Sequence, residues 1–210
     1  MEKGLVCLSV ANRIIDRNNA YNDWRAGKKM DPIVMSLKRL QDIIYFIQVI
    51  WISANKTCDM IPEEFACWPQ GPMMEGLYDF WQPYENITKT FKFYETSPLT
   101  ETECIIVDRV VDNTINMTTD EIHEFACERK NPWHVALRSG LLKVSKSIIL
   151  NYMFNVENKK KYLALAVDNK SVPAYVSEND YHFTKEEQHL YKMMLKFNSI
   201  DAGINMFELM

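Results

Sequence analysis

The sequence predicts a mainly α-helical, compact domain built around one buried helix, with a few short strands or a hairpin and a C-terminal extension. The first observation is residues 36–54, where the N-cap residue Ser36 precedes a segment whose second half, residues 45–52, is apolar except at Gln48. A helix that is apolar on all sides normally lies at the centre of a core. The second observation is a capping box, Thr followed three residues later by Glu, that recurs at Thr100/Glu103, Thr118/Glu121 and Thr184/Glu187.

The N-terminal part is predicted to contain one short helix and a long loop. Ser9 can cap a helix over residues 9–18, in which Val10, Ile14 and Ile15 share a side. Residues 19–35 contain several Asn residues, Gly27 and Pro32, and this composition indicates a loop.

A proline-rich segment follows the central helix. Residues 62–72 hold three prolines and one glycine. They predict an extended piece over residues 65–68, a turn at residues 70–71 and a helix over residues 73–81, with Pro72 in its first turn. In residues 89–94 polar and apolar side chains alternate, and this pattern predicts a short strand.

The second half of the chain is predicted to be helical up to about residue 154. The predicted helices are 100–116, 118–129, 133–138 opened by Pro132, and one through Phe154 that begins at Ser145 or Ser147.

The C-terminal part is predicted less completely. Residues 162–167 fit either a helix or a strand, residues 172–176 fit an edge strand, and residues 185–197 fit a helix. The predicted division is a helical domain over residues 1–157 and an extension over residues 158–210 that packs on the same domain.

Composition narrows the classes of function. The chain has 210 residues and a net charge of -4, and such acidity does not favour nucleic acid as a partner. No apolar run is long enough to span a bilayer. Five cysteines without a CxxC pair, together with no recognisable signal peptide, predict a reducing cytoplasmic location. No cofactor and no metal ion are expected.

His123 and Cys127 form the pair in this sequence that most resembles a catalytic or metal-binding motif. They lie four residues apart on a predicted helix, so they share a face. One interpretation is a nucleophile pair or two metal ligands, and the other is a half-buried Cys beside a surface His. A cysteine nucleophile needs a base and an oxyanion site, and neither is visible in the sequence. The chain is therefore not expected to be an enzyme, and replacing either residue is expected to leave function intact.

Three segments together resemble the Panacea domain, also known as the SocA-like or phage-associated GepA family. They are residues 37–48, residues 65–72 continuing to Tyr78, and residues 128–133 with Ala136 behind them. The resemblance covers about residues 8–157. The signature residues that it assigns, as structural positions, are Leu40, Tyr45, Gln48, Phe65, Trp68, Gly71, Pro72, Tyr78, Pro132 and Trp133. The family's Thr-His pair before the acidic Pro-Trp segment is replaced here by Ala126 and Cys127.

The resemblance implies an antitoxin that binds and neutralises a co-encoded toxin, of the kind found in prophages and other mobile elements. Alternatives are a phage or mobile-element accessory protein, acting as an adaptor or in antidefence, and a small enzyme with an unrecognised site. The expected partner is a protein, and its expected contact residues are Met73, Tyr78, Trp81, Met206 and Phe207. Trp68 and Trp133 are expected to fix the chain breaks at Pro72 and Pro132 against the central helix, at a cost of about 3–5 kcal/mol when either is replaced by alanine.

Overall fold

The computed structural model describes residues 6–55, 59–81, 92–93 and 96–167. Within these residues the fold consists of α-helices, one short 3₁₀ helix and one two-stranded hairpin, which confirms the predicted mainly α class. The elements in chain order are α1 (Val6–Gly27), α2 (Leu37–Ala54), β1 (Ala66–Trp68), β2 (Gly71–Met73), α3 (Glu75–Trp81), α4 (Glu101–Thr114), α5 (Thr119–Ala126), α6 (Pro132–Arg138), α7 (Lys146–Met153), α8 (Val156–Leu163) and the 3₁₀ helix Ala164–Ala166.

Helix α2 is the centre of the core, as predicted. Ser36 caps it by accepting a hydrogen bond from the backbone N–H of Arg39 at 3.2 Å. Every residue from 39 to 53 is buried, because α1, α4, α5, α7 and α8 all pack around this helix. The all-apolar second half thus lies in an environment without a solvent-facing side.

Helix α1 is much longer than predicted, and the prediction of a loop is wrong for residues 19–27. The side chains that stabilise it bind another helix: Arg13 forms a bidentate pair with Asp108 of α4 at 2.7 and 2.5 Å. Arg17 binds Asp112, one turn further along α4, at 2.8 and 2.6 Å. Bidentate Arg–carboxylate pairs fix geometry as well as adding stability. Within residues 19–27, the polar side chain of Asn22 instead binds the backbone of Ile33, donating to its carbonyl at 2.9 Å and accepting from its N–H at 2.7 Å.

The hairpin forms where an extended piece was predicted. Ala66 pairs with Met73 and Trp68 with Gly71, and residues 69–70 make the turn. A third backbone segment extends the sheet, since the N–H of Cys67 donates to the carbonyl of Leu142 at 2.8 Å. Pro72 lies in β2, so the prediction that it opens the next helix is wrong, and α3 begins at Glu75.

Side-chain amides of α2 hold both ends of the segment that carries the hairpin. Gln41 donates to the carbonyl of Met74 at 3.1 Å and accepts from its N–H at 2.9 Å. Gln48, two turns later, bonds Ile61 in the same way at 2.8 and 3.1 Å. Each amide satisfies one buried backbone donor and one acceptor, as a neighbouring strand would. The hairpin is thereby fixed to the central helix at its start and end.

The capping signals predicted most helix starts correctly. Both capping boxes in the described ranges form, at Thr100/Glu103 and Thr118/Glu121. Pro132 opens α6, with Asn131 as its N-cap, and Ser145 caps α7. The ends are less accurate, because α5 stops at Ala126 and not at residue 129.

Residues 162–167, which fitted either a helix or a strand, are helical: α8 continues into the 3₁₀ helix. The boundary predicted at residue 157 falls inside α8, and Tyr162 and Leu163 are buried in the same core as α2. The division into two parts stays a prediction, since residues 168–210, with the elements predicted at 172–176 and 185–197, lie outside the described residues. So does most of the strand predicted at 89–94. Among the described helices, none has the length and apolar character needed to cross a membrane.

Candidate partner-binding surface

The hairpin surface, defined here as Trp68, Met73 and Tyr78 with the adjacent Glu75 and Asp79, is a part of the signature region that reaches solvent. The rings of Trp68 and Tyr78 meet edge to face with centroids 5.0 Å apart. The indole N–H of Trp68 donates to Oε1 of Glu75 at 3.4 Å. Trp68, Met73 and Tyr78 are each half-buried. The surface therefore presents a fixed aromatic pair with a carboxylate at its edge.

The hairpin surface rests on a rigid base. The indole N–H of Trp133 donates to the carbonyl of Trp68 at 3.1 Å. Phe65, the residue before β1, packs edge to face on Tyr45 of α2 with ring centroids 5.3 Å apart. Together with the Gln41 bonds to Met74, these contacts determine where Trp68 and Tyr78 stand.

The two helices beside the hairpin are strongly acidic. Helices α3 and α5 contain no Lys or Arg, and their carboxylates are Glu75, Asp79, Asp120, Glu121 and Glu124. Asp120 pairs with the exposed Lys38 at 3.2 Å, and Glu121 belongs to the capping box of α5. The remaining carboxylates, Glu75, Asp79 and Glu124, are exposed. Lys143 also lies near Glu75, but it pairs with Glu64 at 2.8 Å, so carboxylates outnumber cations around the hairpin surface.

A polar cluster of Asp42, His123 and Cys127 lies beneath β2. Nδ1 of His123 is 3.0 Å from Oδ2 of Asp42, and Nε2 is 3.6 Å from Sγ of Cys127. Asp42 is nearly inaccessible, with its side chain 3% exposed, whereas the His123 side chain is 23% exposed. Gly71 covers the cluster: a Cβ atom there would lie 3.0 Å from Cε1 of His123 and 3.3 Å from Sγ of Cys127. The cluster holds the groups of a cysteine nucleophile site in the usual order, a thiol, an imidazole and an orienting carboxylate.

The electrostatics of the cluster oppose nucleophilic chemistry. Burial and the nearby Asp42 raise the pKa of the Cys127 thiol to about 12, so the thiol stays protonated at neutral pH. Burial also raises the pKa of Asp42, and the hydrogen bond with His123 opposes that rise. Across the described residues, no group of three His, Cys, Asp or Glu side chains could hold a metal ion. The cluster is best explained as polar packing between α2, α5 and the hairpin.

The reactivity of Cys127 provides a direct check on this explanation. Because alkylation requires the thiolate, Cys127 in the folded chain is expected to react with iodoacetamide at least about a hundredfold more slowly than glutathione. Peptide mass spectrometry over a time course measures the rate at this residue alone. The urea-unfolded chain is the control and should react at nearly the glutathione rate. A folded-state rate equal to that of glutathione would restore the nucleophile interpretation.

The cluster also changes the expectation for His123. Asp42 has His123 as its only hydrogen-bonding side chain among the described residues. Removing the imidazole would leave a buried carboxylate without that partner, which is costly. His123→Ala is therefore expected to destabilise the fold, whereas unchanged function in folded His123→Ala and Cys127→Ser proteins stays a prediction.

Most signature residues are buried, in agreement with their structural assignment. Leu40, Tyr45, Gln48, Phe65, Gly71, Pro72, Pro132 and Trp133 are buried, whereas Trp68 and Tyr78 are half-buried. Among the expected contact residues, Trp81 was wrong: it is 1% exposed and packs near Phe93 with ring centroids 6.2 Å apart. It lies on the side of α3 that faces the core. Met206 and Phe207 lie outside the described residues.

A buried hydrogen-bond network joins the first and third segments of the signature. The Tyr45 hydroxyl donates to Oδ1 of Asn131 at 2.6 Å and accepts from the N–H of Trp133 at 3.1 Å. Nδ2 of Asn131 donates to the hydroxyl of Tyr162 at 2.5 Å. Tyr45 and Tyr162 have strongly raised pKa values because both phenols are buried, so they act as neutral hydroxyls. The network connects α2, the N-terminus of α6 and α8.

Sequence reasoning missed Gln41, Asp42, Asn131 and Tyr162 as structural determinants. A signal for the first two was present in the sequence. Both are polar residues in a helix predicted to be buried, and a buried polar group requires a partner. The identity of that partner follows only from the tertiary structure.

Comparison of the chain with family models, with curated proteins and with solved structures finds no match.

Proposed function

We propose that this chain is a non-enzymatic protein-binding module, an antitoxin that neutralises a co-encoded toxin by direct contact. The observation that carries the proposal is the half-exposed Trp68–Tyr78 pair, held on a hairpin between two acidic helices. Aromatic side chains are enriched in protein interfaces and often dominate their binding energy.

The rigid base supports a binding role for the hairpin surface. Gln41, Gln48 and Trp133 fix the hairpin through hydrogen bonds to its own or flanking backbone. A surface already held in its bound conformation loses less entropy on association, and this increases affinity.

The charge of the surroundings indicates the kind of partner. Glu75, Asp79 and Glu124 are exposed, and neither α3 nor α5 carries a Lys or Arg. A partner with a basic contact face would be attracted to this region. Its association would be faster at low than at high salt, since salt screens such attraction.

The resemblance supports the same proposal through the positions of its residues. The buried members Tyr45, Phe65 and Trp133 hold the hairpin, and the half-buried members Trp68 and Tyr78 form its surface. The signature is thus a folding device that presents two of its own residues.

A small cysteine enzyme remains the second candidate. The order of groups in the Asp42–His123–Cys127 cluster favours it, and the raised pKa of Cys127 counts against it. An adaptor or antidefence role would use the same surface.

A growth assay tests this function. The neighbouring gene is expressed from an inducible promoter, alone and together with this chain, and growth is expected to stop in the first case and continue in the second. A chain truncated after Ala202 shows whether the segment that contains Met206 and Phe207 contributes to suppression. If no neighbouring gene is toxic, the antitoxin proposal fails. If a well-folded Cys127→Ser variant no longer rescues growth, the enzyme would be favoured.

A further inference from the structure

A cavity of about 320 Å³ lies where the end of α1, the start of α2 and the connection between α4 and α5 meet. Two guanidinium groups, those of Arg25 and Arg39, contribute to its lining. No Asp or Glu is among its lining residues. A cavity that contains two cations and no lining anion has the electrostatics of an anion site.

Arg39 is the buried member of the pair. It is 2% exposed, and its Nη atoms donate to the carbonyls of Met117 at 2.7 Å and Thr114 at 2.8 Å. These carbonyls belong to the C-terminal end of α4 and the residues after it, where a cation is favoured. Burial lowers the pKa of Arg39 to about 10, so the side chain is charged at neutral pH. In the part of the chain that the structure describes, no carboxylate forms an ion pair with it.

Arg25 is the accessible member. Its Nε donates to the backbone carbonyl of Asp31 at 2.6 Å, and its terminal nitrogens have no acceptor among the described residues. The nearby carboxylates are committed elsewhere or exposed: Asp120 pairs with Lys38, Glu121 accepts from the N–H of Thr118, and Asp31 is exposed. Arg25 therefore offers an unused pair of donors of the geometry that phosphate and carboxylate groups accept.

The remaining wall is largely apolar. Ile33, Val34, Ile115 and Met117 contribute to it, and Val34 is 57% exposed although it is a large aliphatic side chain. The volume exceeds that of a bare inorganic anion, and an apolar wall adds nothing to the binding of such an ion. The wall and the two cations together match a ligand with an anionic head and an apolar body.

We propose that this cavity is a binding site for a small organic anion, whose phosphate or carboxylate group accepts from the terminal nitrogens of Arg25 and is attracted by the buried charge of Arg39, and whose apolar part packs on Val34 and Met117. The proposal is independent of the partner-binding function, because none of these residues belongs to the hairpin surface. Such a ligand would contact α1, the segment before α2 and the α4–α5 connection at once.

Isothermal titration calorimetry with phenyl phosphate tests the site, with benzoate, inorganic phosphate and benzyl alcohol as comparisons. Phenyl phosphate is expected to bind with one-to-one stoichiometry. The affinity of benzoate, measured in the same way, shows whether the site accepts a carboxylate in place of a phosphate. Inorganic phosphate is expected to bind at least about tenfold more weakly, since it lacks the apolar part. Arg25→Gln is expected to weaken phenyl phosphate by about tenfold or more through loss of the charged donors. Arg138→Gln, an exposed arginine in the last turn of α6, is the matched control and should bind as the parent does.

Three results would overturn the proposal. They are the absence of saturable binding by both organic anions, equal affinity in the parent and in Arg25→Gln, and binding of benzyl alcohol as tight as that of phenyl phosphate. Amide NMR independently locates the binding site, because the ligand should shift the backbone amide resonances of residues 115–119. Shifts confined to other regions would also refute the site. Circular dichroism establishes that Arg25→Gln remains folded.

Discussion

Replacing Trp133 by alanine is expected to lower the free energy of unfolding by about 3–5 kcal/mol. The side chain is 6% exposed and lies at the start of α6, where its backbone N–H also bonds the hydroxyl of Tyr45. Truncation would remove a large buried ring and leave the carbonyl of Trp68 without its indole donor. Urea denaturation followed by circular dichroism measures the loss.

Trp68→Ala is the matched comparison for Trp133→Ala. The sequence predicts the same loss, about 3–5 kcal/mol, for either tryptophan. Trp68 is only half-buried, so its replacement is expected to cost less, about 1–2 kcal/mol, because less apolar area returns to water. Equal urea midpoints of unfolding for the parent and Trp133→Ala would contradict the packing described for α6 and the hairpin.

Replacing Gly71 by alanine is expected to cost about 2–4 kcal/mol through backbone strain and a steric clash. Gly71 has φ of +134°, a conformation that side-chain-bearing residues rarely adopt. The added Cβ would also lie 3.0 Å from the His123 ring, which Asp42 holds in place. Thermal unfolding compared with the parent measures the effect.

Gly140→Ala is a comparison in which the steric clash is absent and the backbone strain is smaller. Gly140 also has positive φ, +68°, but no atom lies within 4 Å of the place that its Cβ would occupy. Its replacement is expected to cost only the strain of a left-handed residue, about 1–2 kcal/mol. If Gly71→Ala is no more damaging than Gly140→Ala, the contact between the hairpin and the His123 cluster is not as tight as the structure describes.

The elements that could be predicted from the sequence are those whose signals are local. The central helix follows from an apolar run after Ser36, and α4 and α5 follow from capping boxes formed by residues three apart. Pro132 opens α6 for a reason contained in its own ring geometry. In each case the stabilising groups are near neighbours in the chain.

The elements that could not be predicted depend on distant partners. Residues 19–27 read as a loop because their contacts lie outside the segment: the buried Tyr21 donates to Asn116 after α4, and Asn22 bonds the backbone of Ile33. Pro72 was assigned to a helix because the pairing of β2 with β1 leaves no signal at that residue. A single sequence contains no record of such pairings.

The candidate surface could be predicted in part. Met73 and Tyr78 are exposed enough to bind a partner, whereas Trp81 on the same helix faces the core. A seven-residue helix is too short for its buried side to be read reliably from periodicity. The sequence favours a structural role for Trp68 and leaves partner contact open, and the structure places the residue half-buried beside Tyr78.

The most direct test of the hairpin surface is the affinity of the purified chain for the purified product of the neighbouring gene. Calorimetry is carried out with the parent, with a Tyr78→Ala/Met73→Ser variant, and with Phe154→Ser. Phe154 is a 75% exposed residue at the end of α7, away from the hairpin surface, and serves as the control. We expect the double variant to bind at least about a hundredfold more weakly, as loss of central interface residues does, and the control to bind as the parent does. Equal affinity for all three proteins would show that the hairpin surface is not where the partner binds.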